Sequence, residues 1–238
     1  MRARTERLII GASAHARAKR WAMLLARFPE LSEMRVLDIG GEIRGWVQAP
    51  VRPAALVMLN TAAVVDMEQD VPWATRVTGD GCAPPASLDG EKFDLVYCNS
   101  VIEHVGGHQR RVELADTIHR LAPHHWVQTP YRYFPIEAHS LAPGLQFLPP
   151  RMQVSVLRHW PLGSSRNVCG EWPQPAAGRA IYPPENGQAL ANLVPYYAAS
   201  VAFSVELLSR TEMKWLFPSS GIIAERVLGV PKSIIASI

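Results

Sequence analysis

The stretch Val36-Leu37-Asp38-Ile39-Gly40-Gly41-Glu42-Ile43-Arg44-Gly45 decides the fold. An apolar run that ends in an acid and a glycine pair reads as a buried strand leaving a sheet, because glycine lets the backbone turn sharply and lets a ligand come close. The helix that follows such a turn presents its positive N-terminal end. Taken alone, the loop fits a plain strand-to-helix turn, with Asp38 capping it, as well as it fits a binding site. It lacks the G-x-G-x-x-G spacing of dinucleotide-binding folds, and the chain has no Walker lysine.

Working outward, apolar runs recur at Met34–Ile39, Ala54–Leu59, Ala74–Thr78, Phe93–Cys98 and His125–Thr129, separated by stretches long enough for helices. This alternation predicts parallel βαβ units with helices on both faces of one sheet, an α/β fold. Ahead of it, Ala14, Ala18, Trp21, Leu24, Leu25 and Phe28 recur at helical spacing from Ser13 to Phe28, where Pro29 closes an amphipathic helix. Near the end, Ser209-Arg210-Thr211-Glu212 has capping-box spacing and should open a short helix stopped by Pro218. Ile222–Val227 and Lys232–Ile238 follow. Their link, Leu228-Gly229-Val230-Pro231, is too short for a parallel crossover and predicts an antiparallel hairpin.

Composition bounds the function. With 238 residues, 48% of them hydrophobic and 19% charged, the chain reads as one globular domain over 1–238. A net charge of +3 gives no footprint for gripping a polyanion, so no nucleic-acid partner is expected. No membrane span is expected either: the weakly charged stretch Leu190–Leu208 is interrupted by Asn192, Pro195, Ser200, Ser204 and Glu206, and reads as a buried helix. Leu8-Ile9-Ile10 is too short for a signal-peptide core, which leaves a cytoplasmic location as the expectation. Cys82, Cys98 and Cys169 are odd in number and hold no C-x-x-C pair. Twelve of the 20 prolines fall between Leu121 and Pro195, a composition that predicts a loop-rich lid over 141–205.

Open α/β sheets bind ligands beyond the carboxyl ends of their strands, and polar residues stand at several of those ends. Asn60 ends the second run, where its amide could bond ribose hydroxyls. Asp80, within Gly79-Asp80-Gly81, ends the third and suits an exocyclic amine such as adenine N6. Phe93-Asp94-Leu95-Val96 opens the fourth, which finishes in Asn99-Ser100-Val101-Ile102-Glu103-His104.

With this ordered set the chain resembles the class I S-adenosylmethionine-dependent methyltransferases, in particular the small-molecule, type 11/12-like branch with an F-D-L-V strand and a V-[IL]-E-H turn. The resemblance implies a Rossmann-like, seven-stranded, mostly parallel sheet with an antiparallel last strand. It also implies S-adenosyl-L-methionine as cofactor and S-adenosylhomocysteine as product. Asp38, Gly40 and Gly41 match the loop that holds the methionine end, and Asn60 stands where the family usually has an acid for the ribose. Asp80, Gly81 and Cys82 match the adenine contacts, and Asn99 the position beside the methionyl group. Glu42 and Arg44 occupy places where glycines are common.

Methyl transfer to oxygen is an in-line displacement that can require removal of a hydroxyl proton, and histidine is the natural base near neutral pH. His139, at the end of Pro130-Tyr131-Arg132-Tyr133-Phe134-Pro135-Ile136-Glu137-Ala138-His139, is the first candidate and His104 the second. Glu137 is expected to orient the imidazole or hold the acceptor, although in an extended stretch the two side chains would stand well apart. Glu103, three positions after Ser100, reads as the acid of a capping box on a helix that begins at His104. His119, His124 and His125 read as packing or surface residues. A divalent metal held by Glu103, His104, Glu137 and His139 is the less favoured reading, since relatives that use an E-H element for metal carry a further acid where Ser100 stands here.

The insertion supplies Trp160, Trp172, Tyr182, Tyr196, Tyr197, Arg151 and Arg158, which suit a sugar ring, a polyketide or a lipid-linked acceptor. Nucleobase methylation is disfavoured, because no N-P-P-Y type element follows the fourth strand. The expected function is O-methylation of a small-molecule hydroxyl, on a saccharide or other secondary metabolite. Two alternatives stand beside it, a nicotinamide-dependent oxidoreductase and a non-catalytic module of the same fold. The lid is expected to fold over the acceptor and to contribute part of an interface, as in a homodimer.

Overall fold

The computed structural model describes residues 16–61, 71–160 and 202–238. Their centre is a seven-stranded sheet in the order β3-β2-β1-β4-β5-β7-β6. The strands are β1 (Arg35–Ile39), β2 (Ala55–Asn60), β3 (Ala74–Thr78), β4 (Leu95–Asn99), β5 (His124–Pro130), β6 (Gly221–Val227) and β7 (Val230–Ser237). The first five pair in parallel, and β7 runs antiparallel between β5 and β6. The expected sheet is therefore present, including its antiparallel last strand. The hairpin is tighter than expected, because β7 begins at Val230. Leu228 and Gly229 alone make the turn, with φ of 49° and 83°, as a two-residue link between right-twisted strands requires.

Side chains alternate between the two faces of a strand, and β1 shows the consequence. Leu37 and Ile39 join a core with Val96, Cys98, Val127 and Ile234, covered by α3 (Gly107–Leu121) and α5 (Arg210–Leu216). Val36 joins the opposite core with Leu56, Leu95 and Trp126, covered by α1 (16–27) and α2 (Ile43–Val47). Asp38 points to this second face as well, where an acid has no apolar duty. Helix α5 opens on the expected capping box, in which Ser209 Oγ accepts from the Glu212 N–H and the Glu212 carboxylate accepts from the Ser209 N–H. Phe217, just before Pro218, caps its end.

The described part of the predicted lid holds a short 3-10 turn at Leu145–Phe147 and the helix α4 (Pro150–His159). Ala142, Leu145, Leu157 and Ala202 form its small core, and Trp160 donates from Nε1 to the Ser140 carbonyl at 2.9 Å. Trp172, Tyr182, Tyr196, Tyr197, Cys169 and most of the apolar stretch 190–208 lie outside the described residues.

Two expectations around β5 resolve differently. His124 is exposed, but His125 is buried, with Nε2 2.6 Å from Ser220 Oγ and its ring against His119 and Phe217. Burial holds the His125 imidazole down to about 4. The unfolded chain, with a pKa of about 6.5, takes up this proton first as pH falls, so the folded state loses stability between pH 6.5 and 4, by at most about 1.4 kcal/mol per pH unit. Urea midpoints measured at pH 7 and pH 5 should show this loss, and it should flatten in His125→Leu. An equal slope in the variant would assign the acid sensitivity to another group.

Candidate active site

The turn after β1 is shaped by what lies beneath it. Gly40 has a φ of 73°, and a Cβ there would stand 2.6 Å from Val101 Cγ2. A Cβ on Gly41 would stand 1.9 Å from Asp38 Oδ2, so the Asp38 carboxylate fills the space below the loop. Asp38 is 1% exposed and accepts a hydrogen bond from Trp46 Nε1 at 2.6 Å. The Asn60 amide, expected at the ribose, donates to the Gly41 carbonyl at 2.7 Å and pins the loop from the neighbouring strand. Loop, acid and amide form one unit.

A cavity of 580 Å³ opens beside this unit, lined by Asp38, Gly40, Gly41, Asn99 and Ser100 on the sheet side and by Arg17, Arg20 and Trp21 from α1. Trp21, Trp46 and Tyr97 meet edge-on or stacked at centroid separations of 5.1 to 6.0 Å, fixing α1 against the sheet. Ser100 has a φ of 59°, a left-handed conformation unusual for a residue with a side chain. Its hydroxyl donates to Gln128 Oε1 at 3.0 Å, and its N–H to the Gln128 carbonyl at 2.9 Å.

Asp80 stands past the end of β3. One carboxylate oxygen accepts from the Cys82 N–H at 2.9 Å, and the other is held by the Arg110 guanidinium. Burial pushes the carboxyl up, but Arg110 and the Cys82 N–H outweigh it and take Asp80 below the usual carboxylate range. Burial raises the Cys82 thiol to about 11, so it is a packing group and not a nucleophile at neutral pH. A Cβ on Gly81 would stand 2.6 Å from Ile39 Cγ2, which explains the glycine by packing.

The turn after β4 corrects one expectation. Ser100 and Glu103 form no capping box, because residues 102–104 make a non-helical turn and α3 begins only at Gly107, after Gly106 with a φ of 83°. Glu103 is 1% exposed, and Thr129 Oγ1 donates to its Oε2 at 2.9 Å while Oε1 has no partner. Burial raises the Glu103 carboxyl to about 7.

The loop after β5 corrects another. Residues 137–141 form a turn, closed by the Leu141 N–H donating to the Glu137 carbonyl at 2.8 Å, so Glu137 and His139 meet directly instead of standing apart on an extended strand. Glu137 Oε1 lies 2.7 Å from His139 Nδ1, and the Ser140 N–H and hydroxyl donate to Oε2, each at 2.6 Å. Burial opposes the Glu137 charge, yet these partners bring its carboxyl down to about 2. Burial likewise opposes the His139 cation, and Glu137 more than compensates, leaving His139 above the ordinary imidazole value. His139 Nε2 lies 3.1 Å from His104 Nε2, with the rings edge-on at 86°. Desolvation, with the His139 charge beside it, lowers His104 to about 4.

The two candidate bases therefore meet, His139 oriented by the buried Glu137 carboxylate and His104 on the turn four residues past Ser100 in the cavity wall. A second cavity of 390 Å³ lies alongside, lined by Arg132, Glu137, Gln146, Gln153, Phe203 and Glu206 among others. Gln146 Oε1 is buried there without a partner. Sequence reasoning missed Arg17, Arg20, Trp21, Trp46 and Tyr97, since nothing in their spacing marks them. It could have noted that α1 carries two arginines one helical turn apart.

No family model and no curated protein matches the sequence. Two solved structures share its architecture. A putative O-methyltransferase from Nostoc punctiforme PCC 73102 is 12% identical, with a TM-score of 0.51 over 96% of this chain and 58% of that one. An S-adenosylmethionine-dependent methyltransferase from Mesorhizobium loti is 17% identical, with a TM-score of 0.50 over 91% of this chain and 95% of that one. The chain thus has the Rossmann-like fold of the class I S-adenosylmethionine-dependent methyltransferases, and it spans little more than half the length of the Nostoc protein. No helix among the described residues is long and apolar enough to cross a membrane.

Proposed function

We propose that this protein is an S-adenosylmethionine-dependent O-methyltransferase acting on a hydroxyl of a small molecule. The observation that carries the reading is the Glu137–His139–His104 cluster on the turns that follow β4 and β5, together with a glycine-loop cavity at the carboxyl ends of β1 and β4. Asp38, Gly40, Gly41 and Asn99 would hold the methionine end of the cofactor, Asn60 would support the loop beside the ribose, and Asp80 with Gly81 and Cys82 would face the adenine. The cofactor supplies an electrophilic methyl group. With that methyl donor bound, His139 Nε2 would accept the hydroxyl proton while Glu137 holds Nδ1 in place. The polar second cavity, with Arg132, Gln146 and Glu206, suits an acceptor rich in hydroxyls such as a saccharide.

Calorimetry tests the cofactor: S-adenosylhomocysteine should bind and NAD should not, and the reverse would favour the oxidoreductase. Turnover of an acceptor panel, read as S-adenosylhomocysteine release, tests the chemistry. Tight binding with no turnover of any acceptor would favour a non-catalytic module. Asp80→Ala should weaken S-adenosylhomocysteine roughly ten- to a hundredfold, the effect of losing one charged hydrogen bond. Unchanged affinity would remove Asp80 from the adenine subsite.

One observation favours a second reading. Glu103, His104 and His139 offer ligand atoms all within 4.8 Å of one another, and Glu103 Oε1 lacks a partner. Two imidazoles and a carboxylate fit a borderline divalent ion. Such an ion would polarise the acceptor hydroxyl in place of a proton-accepting histidine. Manganese should then give a bound-ion spin-resonance signal that is lost in His104→Ala, and chelation should abolish turnover. Full activity in chelator would leave the base reading in place.

A further inference from the structure

The segment after the Glu137 turn carries a surface that methyl transfer does not use. Residues 138–160 hold no Asp or Glu. Within them, α4 turns Leu157 into the small core and half-buries Gln153 and Val154, which leaves the rest of its circumference to solvent. At about 100° per residue, that solvent-facing arc divides lengthwise in two. Met152 and Val156, one turn apart, form an apolar stripe, with Met152 53% exposed; Arg151 and Arg158, two turns apart, form a cationic stripe beside it. Neither arginine makes a hydrogen bond or ion pair among the described residues. The chain entering α4 adds more apolar surface. Tyr133 and Phe147 stack with ring centroids 6.2 Å apart, yet remain 57% and 53% exposed. Gln146 fixes the pair, because its Nε2 donates to the carbonyls of Arg132 and Phe134, on either side of Tyr133, at 3.2 and 2.5 Å.

We propose that α4 and the Tyr133–Phe147 pair dock this protein onto an anionic lipid surface. Charge complementarity chooses the occupant: two unpaired cations on an acid-free segment call for a negative partner, and the apolar surface beside them calls for cover. A helix face split lengthwise into apolar and cationic stripes matches the layers of a bilayer surface, acyl chains beneath anionic headgroups, with the helix lying in the plane. Gln153, on the same helix, lines the 390 Å³ cavity, so docking brings that cavity to the lipid. The proposal goes beyond the methyl-transfer reading and does not depend on it.

Co-sedimentation with vesicles tests the docking face. The protein should pellet with vesicles of phosphatidylcholine mixed with phosphatidylglycerol, far less with phosphatidylcholine alone, and binding should weaken as salt is raised. Each arginine near an anionic surface is worth about fivefold, so Arg151→Gln/Arg158→Gln should lower affinity for the mixed vesicles about 10- to 30-fold. Met152→Ser/Val156→Ser keeps the charge and should also weaken binding. All four side chains are exposed, so both variants should keep the wild-type circular dichroism spectrum and S-adenosylhomocysteine affinity. Undiminished pelleting of both variants, or equal pelleting of the wild type with neutral and mixed vesicles, would overturn the proposal. So would no pelleting of the wild type with either, which would leave the stripes to a protein partner. Failure of the wild type to bind S-adenosylhomocysteine would count against the methyl-transfer reading alone.

Discussion

His139→Ala is expected to lower turnover by about 10²- to 10⁴-fold while leaving S-adenosylhomocysteine affinity unchanged, the range typical of a lost general base. The expectation rests on orientation. The Glu137 carboxylate accepts a hydrogen bond from Nδ1–H and so directs the basic lone pair of neutral His139 to Nε2, the atom that faces His104. It also sets the sign of the pH dependence. Glu137 raises the His139 pKa above its ordinary value, so the cation persists to higher pH, and the rate should rise with pH along a limb centred above 6.5. Glu137→Gln removes the stabilising charge and should move that limb down while lowering the maximal rate; His139→Ala should abolish it. Near-normal turnover in His139→Ala with a large loss in His104→Ala would transfer the role to His104, and modest losses in both would leave catalysis by alignment alone.

The sheet was readable because its signals are local. Five apolar runs, a capping box and a link too short for a parallel crossover each carry their own spacing, and the observed strands begin or end within two residues of the expected positions. The E-H turn misled because Ser-x-x-Glu is a capping-box pattern only when a helix follows. Here Ser100 adopts a left-handed conformation and its hydroxyl goes to Gln128 on β5, a contact 28 residues away that no spacing rule anticipates. Glu137 and His139 make a poor pair only if their stretch is extended, whereas the Leu141 N–H closes it into a turn. Arg20 was invisible for a third reason. Its partners, Asn99 and Glu225, lie 79 and 205 residues away, so its meaning exists only after the sheet has brought β4 and β6 together.

Gly41→Ala should be the most damaging single substitution in the cofactor half of the site, weakening S-adenosylhomocysteine by about a hundredfold or more and lowering the melting temperature by several degrees. The new Cβ would lie 1.9 Å from Asp38 Oδ2 and 2.4 Å from Asp38 Cγ, so one of two groups must move. If the carboxylate swings away, Trp46 Nε1 loses its acceptor in a pocket where both side chains are 1% exposed, and a buried donor without a partner costs about 1–3 kcal/mol. If the loop lifts instead, it breaks the 2.7 Å bond from Asn60 and moves into the space a ligand would occupy. Either route damages the unit that shapes the cavity, which distinguishes this position from Gly81, where the neighbour is the Ile39 side chain. The double variant Gly41→Ala/Asp38→Ala separates the routes. Where the clash with the carboxylate is the cause, the double variant should lose less stability than the two single losses combined, because Asp38→Ala removes the carboxylate that the new Cβ strikes. Strict additivity in chemical denaturation, or wild-type affinity in Gly41→Ala, would show that the loop does not rest on Asp38.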